Sequence, residues 1–356
     1  MRRRRLLFFA KIPMNYVLFE PVHRLLLGDP RLEFHFTGKH QGRNEPERVY
    51  ESFDLKGGRI VRNSLARWRA YDAYVSPDFH LTGRRAKCKV HMFHGVSMRN
   101  FAINERVLEF DKLFLLGPSM ERKFLERGIL QADDPRIERV GFPKLDAVLD
   151  GKHDRTAVLE GLGLDPGLPT ILFAPTWVKG GCLDVQGEAI VQTLGKLEVN
   201  TIIKLHDNSY DLRKQRVDFG AVLPPLLGPR QRLVRGFDSN PYLVAADLLI
   251  SDASSIANEF LVRDRPLVFF AVDDLTGSYP ETDDQAWGTR TGALVHKAEE
   301  LLDVIPAALE DPGAHGAVRA EALADFFYNP GAAAPVAAAV LRRVLELPDT
   351  PAPAAP

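Results

Sequence analysis

Residues 248–261 read LLISDASSIANEFL, an apolar run that breaks at Asp252 and resumes at helical spacing behind two serines. A strand that ends at the start of a helix presents unpaired backbone N–H groups and the positive end of the helix dipole, which favour a phosphate. Ser254 and Ser255 can add hydroxyl donors, and Glu259, four residues after Ser255, can accept hydrogen bonds from a ribose. Asp252 would repel a phosphate, so it is expected to orient the turn or a neighbouring cation. The alternative is ordinary helix capping, which serine and aspartate also perform.

Two histidines stand where apolar, strand-like runs end. His94 closes the run KVHMFHG, and Gly95 lets the chain turn while leaving room for a substrate near the backbone. A neutral imidazole there can take a proton from an attacking hydroxyl, so His94 is a candidate general base. In TIIKLHDN the two-residue period of a strand places Lys204 and His206 on one face, where they can neutralise charge on a leaving group. The alternatives are a histidine that only bonds a loop and a solvated edge strand.

Two further run ends carry weaker candidates. TILFAPTW ends in Thr176, which can donate to a phosphate oxygen, and in Trp177. Trp177 is interpreted as a core residue because large aromatic side chains usually pack inside, and the alternative is that it shields or stacks on a ligand. Arg235 follows the run RLVRGF and can contact an anion. Since arginines in an acidic region are often only surface charges, Arg235 is the weaker of the substrate-binding candidates.

The elements that must position these residues alternate between short apolar runs and longer amphipathic ones. This rhythm predicts parallel strands joined by helices, and the Gly-, Asp- and Pro-rich stretch 150–169 predicts a domain boundary. We therefore expect an α/β protein with two doubly wound, Rossmann-like domains, 1–150 and 151–346. The second includes a last helix near AAPVAAAVLRRVLEL, and residues 347–356 are expected to be a disordered tail. Ligands of such sheets collect beyond the carboxyl ends of the strands, where the candidates lie.

Charge divides the chain although the net charge is only −1. Residues 1–150 carry 28 Lys and Arg against 19 Asp and Glu, whereas the remainder carries 18 against 28. The basic first half predicts an anionic partner, either a phosphorylated acceptor or the negative face of a membrane. Nucleic acid is not expected, because no motif for it accompanies the charge. The run Arg2–Arg5 precedes an apolar stretch that is interrupted too early for a signal peptide, and no segment is long enough for a membrane span.

The cysteine content and the spacing of acidic and histidine residues argue against disulfide and metal sites. The only cysteines are Cys88 and Cys182, too few for a disulfide framework or a Cys-based zinc site, so a cytoplasmic location is expected. No Asp or His cluster has metal-ligand spacing, and neither a bound metal nor a cofactor is expected.

Four motifs in chain order carry a resemblance: HG at 94–95, APTW at 174–177, KLH at 204–206, and SDASS with NEF at 251–260. Together they resemble the CDP-glycerol glycerophosphotransferase family, which builds teichoic-acid-like and capsular polymers. The resemblance covers roughly residues 85–300. It implies a GT-B architecture in which two Rossmann-like domains face a cleft, with the nucleotide held by the second domain and the acceptor by the first.

The resemblance also implies roles for individual residues. His94 would be the base, Lys204 and His206 would stabilise the phosphates, Ser254 and Ser255 would bind the pyrophosphate, and Glu259 would lie near the ribose. The chain departs from the family after the HG motif, where a threonine-proline and a lysine are replaced by residues 96–99, and only Arg99 keeps the positive charge. The donor or the acceptor can therefore differ from the family's.

The resulting hypothesis is that an acceptor hydroxyl attacks CDP-glycerol and releases CMP, with an anionic polymer or a lipid-linked molecule as acceptor. The resemblance further implies peripheral contact with the inner face of the cell membrane, for which only Arg2–Arg5 and the first helix region are candidates. Two alternatives stay open: a GT-B glycosyltransferase or nucleotide-sugar epimerase that uses a UDP-sugar, and a binding protein that docks its basic half on anionic lipid or polymer.

Overall fold

The computed structural model describes residues 2–39, 43, 45–95, 103–252, 254–271 and 289–347, which divide into two compact units. The first unit comprises the described residues up to Asp146 and those from Phe327 onward, and the second comprises the described residues of 147–326. Within the described residues, the chain first passes from one unit to the other after Asp146, just before the predicted boundary segment 150–169.

The first unit is built on a parallel sheet whose seven strands lie in the order β3-β2-β1-β4-β5-β6-β7. β1 and β4 are almost wholly buried, which explains why their sequences are continuous apolar runs rather than alternating ones. The strand order reverses between β1 and β4, the kind of position at which parallel α/β sheets bind ligands. The strands are β1 Arg4–Ala10, β2 Leu32–Gly38, β3 Arg59–Ile60, β4 Tyr71–Ser76, β5 Ala86–Met92, β6 Lys112–Leu115 and β7 Ile137–Arg139.

The second unit has its own parallel sheet in the order β10-β9-β8-β11-β12-β13, which reverses between β8 and β11. β9 is an interior strand, so the alternative of a solvated edge strand around Lys204 is wrong. Side chains of both faces of β9, such as Ile202 and Ile203, are fully buried. The strands are β8 Thr170–Phe173, β9 Asn200–Lys204, β10 Gln231–Val234, β11 Leu248–Ser251, β12 Leu267–Phe270 and β13 Ala293–Val295.

Helices connect the strands in both units. In the described residues they are α1 Met14–Leu26, α2 Pro46–Tyr50, α3 Asn63–Ala66, α4 Pro118–Glu126, α5 Asp146–Leu149, α6 Arg155–Gly161, α7 Cys182–Leu194, α8 Phe219–Val222, α9 Asn240–Ala245, α10 Ser255–Phe260, α11 Leu301–Glu310, α12 Gly316–Phe326 and α13 Ala333–Val344. None of these helices has the length and apolar character needed to cross a bilayer.

The last helix, α13, belongs to the first unit, whereas the sequence placed it in the domain 151–346. The Asp146 carboxylate accepts hydrogen bonds from the backbone N–H groups of Ala333 and Ala334, at 3.2 and 2.6 Å, and so caps the start of α13. Arg342 donates to Asp29 at 2.7 Å. The amphipathic pattern of α13 predicts a buried face, but these specific partners decide which unit buries it.

A glycine permits the chain to return to the first unit. Gly141 has a φ of +94°, and a Cβ at this position would lie 1.9 Å from the carbonyl oxygen of Tyr328. Only glycine allows that backbone approach without strain. The Tyr328 hydroxyl also donates to Glu121 at 2.7 Å, which fixes the returning segment to α4.

Candidate functional site

The second unit gathers its predicted residues at the carboxyl edge of the sheet. Because all six strands are parallel, the ends of β8, β9, β10 and β11 share one edge. The predicted residues that follow these strands directly or end one are Thr176, Lys204, His206, Arg235 and Asp252. The interpretation of these residues as strand-end residues is therefore confirmed.

Asp252 positions the backbone around the site. Its carboxylate is 2% exposed and accepts hydrogen bonds from the N–H groups of Thr176, at 2.7 Å, and Cys182, at 2.9 Å. Cys182 is the first residue of α7, so Asp252 ties the segment between β8 and α7 to the end of β11. Burial raises the pKa of Asp252, opposed by the two N–H donors. Asp252 thus orients the turn, as its charge suggested, and its carboxylate is engaged by backbone N–H groups rather than turned toward an anionic ligand.

The serine junction differs from a long helix start. α10 has only six residues, so the helix dipole contributes less than the sequence implied. Ser254 occupies the N-cap position, but its hydroxyl makes no capping hydrogen bond, which rules out the capping alternative for that side chain. Both Ser254 and Ser255 are half-buried, whereas Glu259 is 6% exposed. The serine hydroxyls are therefore the more accessible groups of this motif, and Thr176, at 7% exposure, is less so.

His206 is held in one tautomer. Its Nδ1 accepts a hydrogen bond from the backbone N–H of Asn208 at 3.0 Å, so the proton of the neutral ring lies on Nε2. Desolvation by the surrounding protein, then repulsion from Lys204 and Lys214, lowers the pKa of His206 to about 4. At neutral pH His206 is thus an uncharged Nε2–H donor. Such a donor can serve a phosphate oxygen, while the cation of the predicted pair is Lys204 alone.

Trp177 lies beside His206 and not in the core. The two rings are 5.9 Å apart between centroids, and the Lys214 ammonium lies 5.6 Å from the Trp177 ring. Trp177 is half-buried, so its interpretation as a core residue is wrong. Lys204 donates to the carbonyl of Leu205 at 3.1 Å, which holds its ammonium at the end of β9. These contacts give the strand ends two cations and an aromatic face around His206.

Arg235 is exposed, and its guanidinium stacks on the ring of Tyr210 at 4.1 Å. This cation–π contact presets the side chain at the end of β10. The arrangement leaves Arg235 at the same sheet edge as His206, where it can contact an anion.

In the first unit His94 follows β5 and is exposed. Its Nδ1 lies 2.8 Å from the carbonyl oxygen of Pro77, an acceptor, so Nδ1 carries the proton and Nε2 presents a lone pair. A lone pair on an exposed nitrogen is what a general base requires. A Cβ added at Gly95 would meet no atom of the described residues within 4 Å. Arg99 lies outside the described residues.

His91 packs beneath this site. It is 1% exposed and stacks on Phe79 with a centroid distance of 4.7 Å. Burial, with smaller contributions from His94 and Arg106, lowers the pKa of His91 to about 3. His91 is therefore a neutral packing residue.

Sequence reasoning missed the groups that orient the two exposed imidazoles. Pro77 and Asn208 act through backbone atoms, which side-chain motifs do not encode. Lys214 comes from the segment after β9, and only its position shows that it faces Trp177. The one available signal was the proximity of Asn208 to His206 in sequence, which is compatible with a tight turn.

Comparison with known proteins decides the family. The profile of the CDP-Glycerol:Poly(glycerophosphate) glycerophosphotransferase family matches residues 90–328. The chain belongs to this family. The teichoic acid poly(glycerol phosphate) polymerase of Bacillus subtilis (strain 168) is 27% identical over 209 residues, which are 54% of this chain and 26% of that protein. The chain thus spans about a quarter of the length of this curated relative.

Solved structures show the fold. The wall teichoic acid polymerase TagF superposes with a TM-score of 0.70 at 14% identity, covering 96% of this chain and 89% of that one. A TagF variant soaked with CDPG gives 0.66 at 15% identity, covering 96% and 88%. A putative UDP-N-acetylglucosamine 2-epimerase from Listeria monocytogenes gives 0.63 at 16% identity, with 98% of both chains covered. These likenesses confirm the predicted α/β fold of GT-B type.

Proposed function

We propose that this protein transfers glycerol phosphate from CDP-glycerol to a hydroxyl acceptor and releases CMP, in the synthesis of a teichoic-acid-like or capsular polymer. The family match supports the reaction class, and the TagF variant soaked with CDPG supports the donor. The observation that carries the proposal is the backbone hydrogen bonding of two strand-end imidazoles, one in each unit, which leaves one with a lone pair and the other with an N–H donor at Nε2.

The acceptor chemistry falls to His94. The acceptor oxygen attacks the phosphorus that bears glycerol, and its proton passes to the Nε2 lone pair of His94. The bond between that phosphorus and the oxygen bridging to the cytidine phosphate breaks. The electron pair of this bond leaves with CMP, so charge and atoms balance without a further reactant.

The donor chemistry falls to the second unit. The oxygen that leaves with CMP gains negative charge, which the Nε2–H of His206 and the ammonium of Lys204 can stabilise. Ser254 and Ser255 offer hydroxyl donors to the pyrophosphate, and Arg235 supplies a further cation. Transfer of a phosphoryl group depends mainly on such positioning and charge stabilisation.

A donor screen tests the proposal. Purified protein is incubated with acceptor and with CDP-glycerol, CDP-ribitol or a UDP-sugar in separate reactions, and the released nucleotide is identified by anion-exchange chromatography. We expect CMP from CDP-glycerol. His296→Ala, an exposed histidine in the second unit, is the matched control and should retain wild-type release. Turnover of a UDP-sugar without any CMP release would instead identify a glycosyltransferase or an epimerase.

We further propose a cytoplasmic location with peripheral membrane contact. The predicted N-terminal attachment is poorly supported, because Arg4 and Arg5 pair with acidic side chains and most apolar residues of α1 are buried. A better surface is the turn at the end of α3, where Leu65 in the helix and Trp68 just beyond it are 54% and 74% exposed. The backbone N–H of Trp68 donates to the backbone carbonyl of Leu65 at 3.2 Å, so the two residues are one turn apart. The surrounding sequence RNSLARWRA is basic, which suits an anionic interface.

Vesicle sedimentation tests this contact. Wild-type protein should sediment with vesicles of phosphatidylglycerol and phosphatidylethanolamine, and Trp68→Ala should reduce the bound fraction. Val185→Ala removes an apolar side chain of similar exposure from the second unit and should have no effect. Equal sedimentation of wild type and Trp68→Ala would disprove contact through this turn.

A further inference from the structure

We propose that a basic pocket in the first unit binds a phosphodiester segment of the acceptor next to His94. This inference rests on the proposed function, because it assigns an anionic acceptor to the same unit. The pocket has a volume of about 490 Å³, within the usual range for ligand sites. It is defined by Lys39, Asn63, Arg67, His80, Arg84 and Arg106, among others.

The pocket lies where the sheet favours ligand binding. Lys39 follows the end of β2, and His80 lies in the segment after β4. β1, which separates β2 from β4 in the sheet, is the strand at which the order reverses. Crevices at the carboxyl ends of strands beside such a reversal are the general ligand sites of parallel α/β sheets.

The charge of the pocket is strongly positive. Lys39, Arg67 and Arg84 have no ion-pair partner within the part of the chain that the structure describes. Arg106 pairs with Glu109 at 3.4 Å, and among the described residues of the lining Glu109 is the only acidic one. Three uncompensated cations around one cavity favour an anion with several oxygen acceptors, and a phosphodiester supplies them.

His80 lies close enough to several of these cations for them to affect its pKa. Its ring packs on Phe9 with 4.7 Å between centroids. Burial lowers the pKa of His80, and Lys39, Lys11 and Arg67 lower it further, opposed by Asp78. The imidazole is therefore a neutral hydrogen-bonding group in a positive field, suited to a polar but uncharged part of the ligand, such as a glycerol hydroxyl.

One loop joins the pocket to His94. The carbonyl of Pro77 orients the His94 imidazole. Two residues further along the same loop begins the segment Phe79–Leu81, which forms a wall of the pocket. Arg106 reinforces this loop by donating to the Phe79 carbonyl and by stacking 5.2 Å from the Phe79 ring. An acceptor phosphodiester held in the pocket would therefore contact the same loop that orients the proposed base.

The test measures binding and turnover with soluble oligo(glycerol phosphate). Lys39→Ala and Arg84→Ala are made singly and together, and Arg84→Gln provides a second variant should the double variant fail to fold. Arg59→Ala, an arginine of the same unit whose side chain is 79% exposed outside the pocket, is the matched control. Isothermal titration without donor gives acceptor affinity, and steady-state kinetics give KM for acceptor and for CDP-glycerol.

We expect each pocket substitution to weaken acceptor binding and raise acceptor KM about ten-fold, because a hydrogen bond to a charged group is lost. The KM for CDP-glycerol should stay at the wild-type value, the weakening should shrink as salt is raised, and Arg59→Ala should match wild type. Unchanged acceptor affinity in the pocket variants would overturn the pocket assignment. The same follows if the variants lose binding to anionic vesicles but keep wild-type affinity for the soluble oligomer.

Failure of the proposed function gives a different pattern. If wild-type protein binds the oligomer through Lys39 and Arg84 but never releases CMP from CDP-glycerol, the pocket stands and the donor assignment falls. If CMP is released normally but neither variant changes acceptor binding, the donor assignment stands and the pocket falls.

Discussion

His94 and His206 are the same residue type at the same kind of place, yet the backbone prepares them for opposite tasks. Each follows a parallel strand, His94 in the first unit and His206 in the second. The Nδ1 of His94 donates to a carbonyl, whereas the Nδ1 of His206 accepts from an amide. His94 therefore offers a lone pair at Nε2 and His206 a proton.

The comparison teaches that position at a strand end marks a residue as available, while its backbone partner decides its chemistry. Pro77 gives His94 the tautomer of a base, and Asn208 gives His206 the tautomer of a donor. The lowered pKa of His206 keeps that donor uncharged at neutral pH. Substitutions that copy one property of histidine but not the other can separate the two roles.

The largest expected effect comes from His94→Gln. Glutamine keeps a polar side chain but cannot accept a proton, so kcat/KM with acceptor should fall by about 10²–10⁴-fold. Stopped-time assays of CMP release measure the effect, and His296→Gln is the control for a histidine-to-glutamine change elsewhere. A wild-type rate in His94→Gln would show that another group takes the proton.

His206 should respond differently to the same substitution. His206→Ala removes the donor and should lower kcat by about 10²–10³-fold, whereas His206→Gln retains an N–H donor and should recover a large part of that loss. The two variants are compared at saturating CDP-glycerol. Equal losses in His206→Ala and His206→Gln would contradict a donor role and leave the comparison with His94 without support.

The support beneath the second site is tested by Asp252→Asn. Asparagine has one acceptor oxygen in place of two, so one of the N–H groups of Thr176 and Cys182 loses its partner. We expect the free energy of unfolding to fall by about 1–3 kcal/mol in urea titrations. Asp303→Asn, an exposed aspartate in α11, is the control and should leave it unchanged. Wild-type stability in Asp252→Asn would show that these hydrogen bonds are dispensable.

The smallest effect is a shift in titration. NMR of ring nitrogens should show His206 protonated at Nε2 at neutral pH, with a midpoint of about 4. The sign follows from the lowered pKa: the contribution of this neutral ring to folding stability is present above the usual pKa of about 6.5 and is lost as pH falls through about 4.

Lys214→Ala sharpens this measurement, because removing a cation that repels the proton should raise the pKa of His206. Lys196→Ala, an exposed lysine of the same unit, should leave it unchanged. The NMR spectrum should also show the proton of neutral His94 on Nδ1, the opposite tautomer. Finding both imidazoles in one tautomer would remove the distinction between the two regions.

Much of the fold could be predicted because the buried strands of a parallel sheet appear in the sequence as continuous apolar runs. In the run TIIKLHDN the residues TIIK are the last four of β9, and four of the six strands of the second unit end where polar residues interrupt apolar runs. Burial on both faces forces such runs to be continuous, so their ends are easy to locate.

The parts that could not be predicted depend on tertiary partners. The amphipathic pattern of α13 is the same whichever unit buries it, and partners in the first unit, among them Asp29, Glu138 and Asp146, decide the matter. Trp177 has the large aromatic side chain typical of a core residue, yet it lies beside His206. Helical spacing of apolar residues also does not show where α10 ends, because Leu261 continues the spacing but already begins a 3-10 turn.

The return of α13 to the first unit has a consequence for biosynthesis. A ribosome releases the sheet β1 to β7 long before it makes Ala333, so the first unit stays without its last helix, and without the hydrogen bonds from Ala333 and Ala334 to Asp146, until the second has been translated. Domains that are continuous in sequence can fold in order of synthesis, but the first unit cannot complete its folding before the second unit has been synthesised. The amino-terminal unit should therefore acquire protease resistance last.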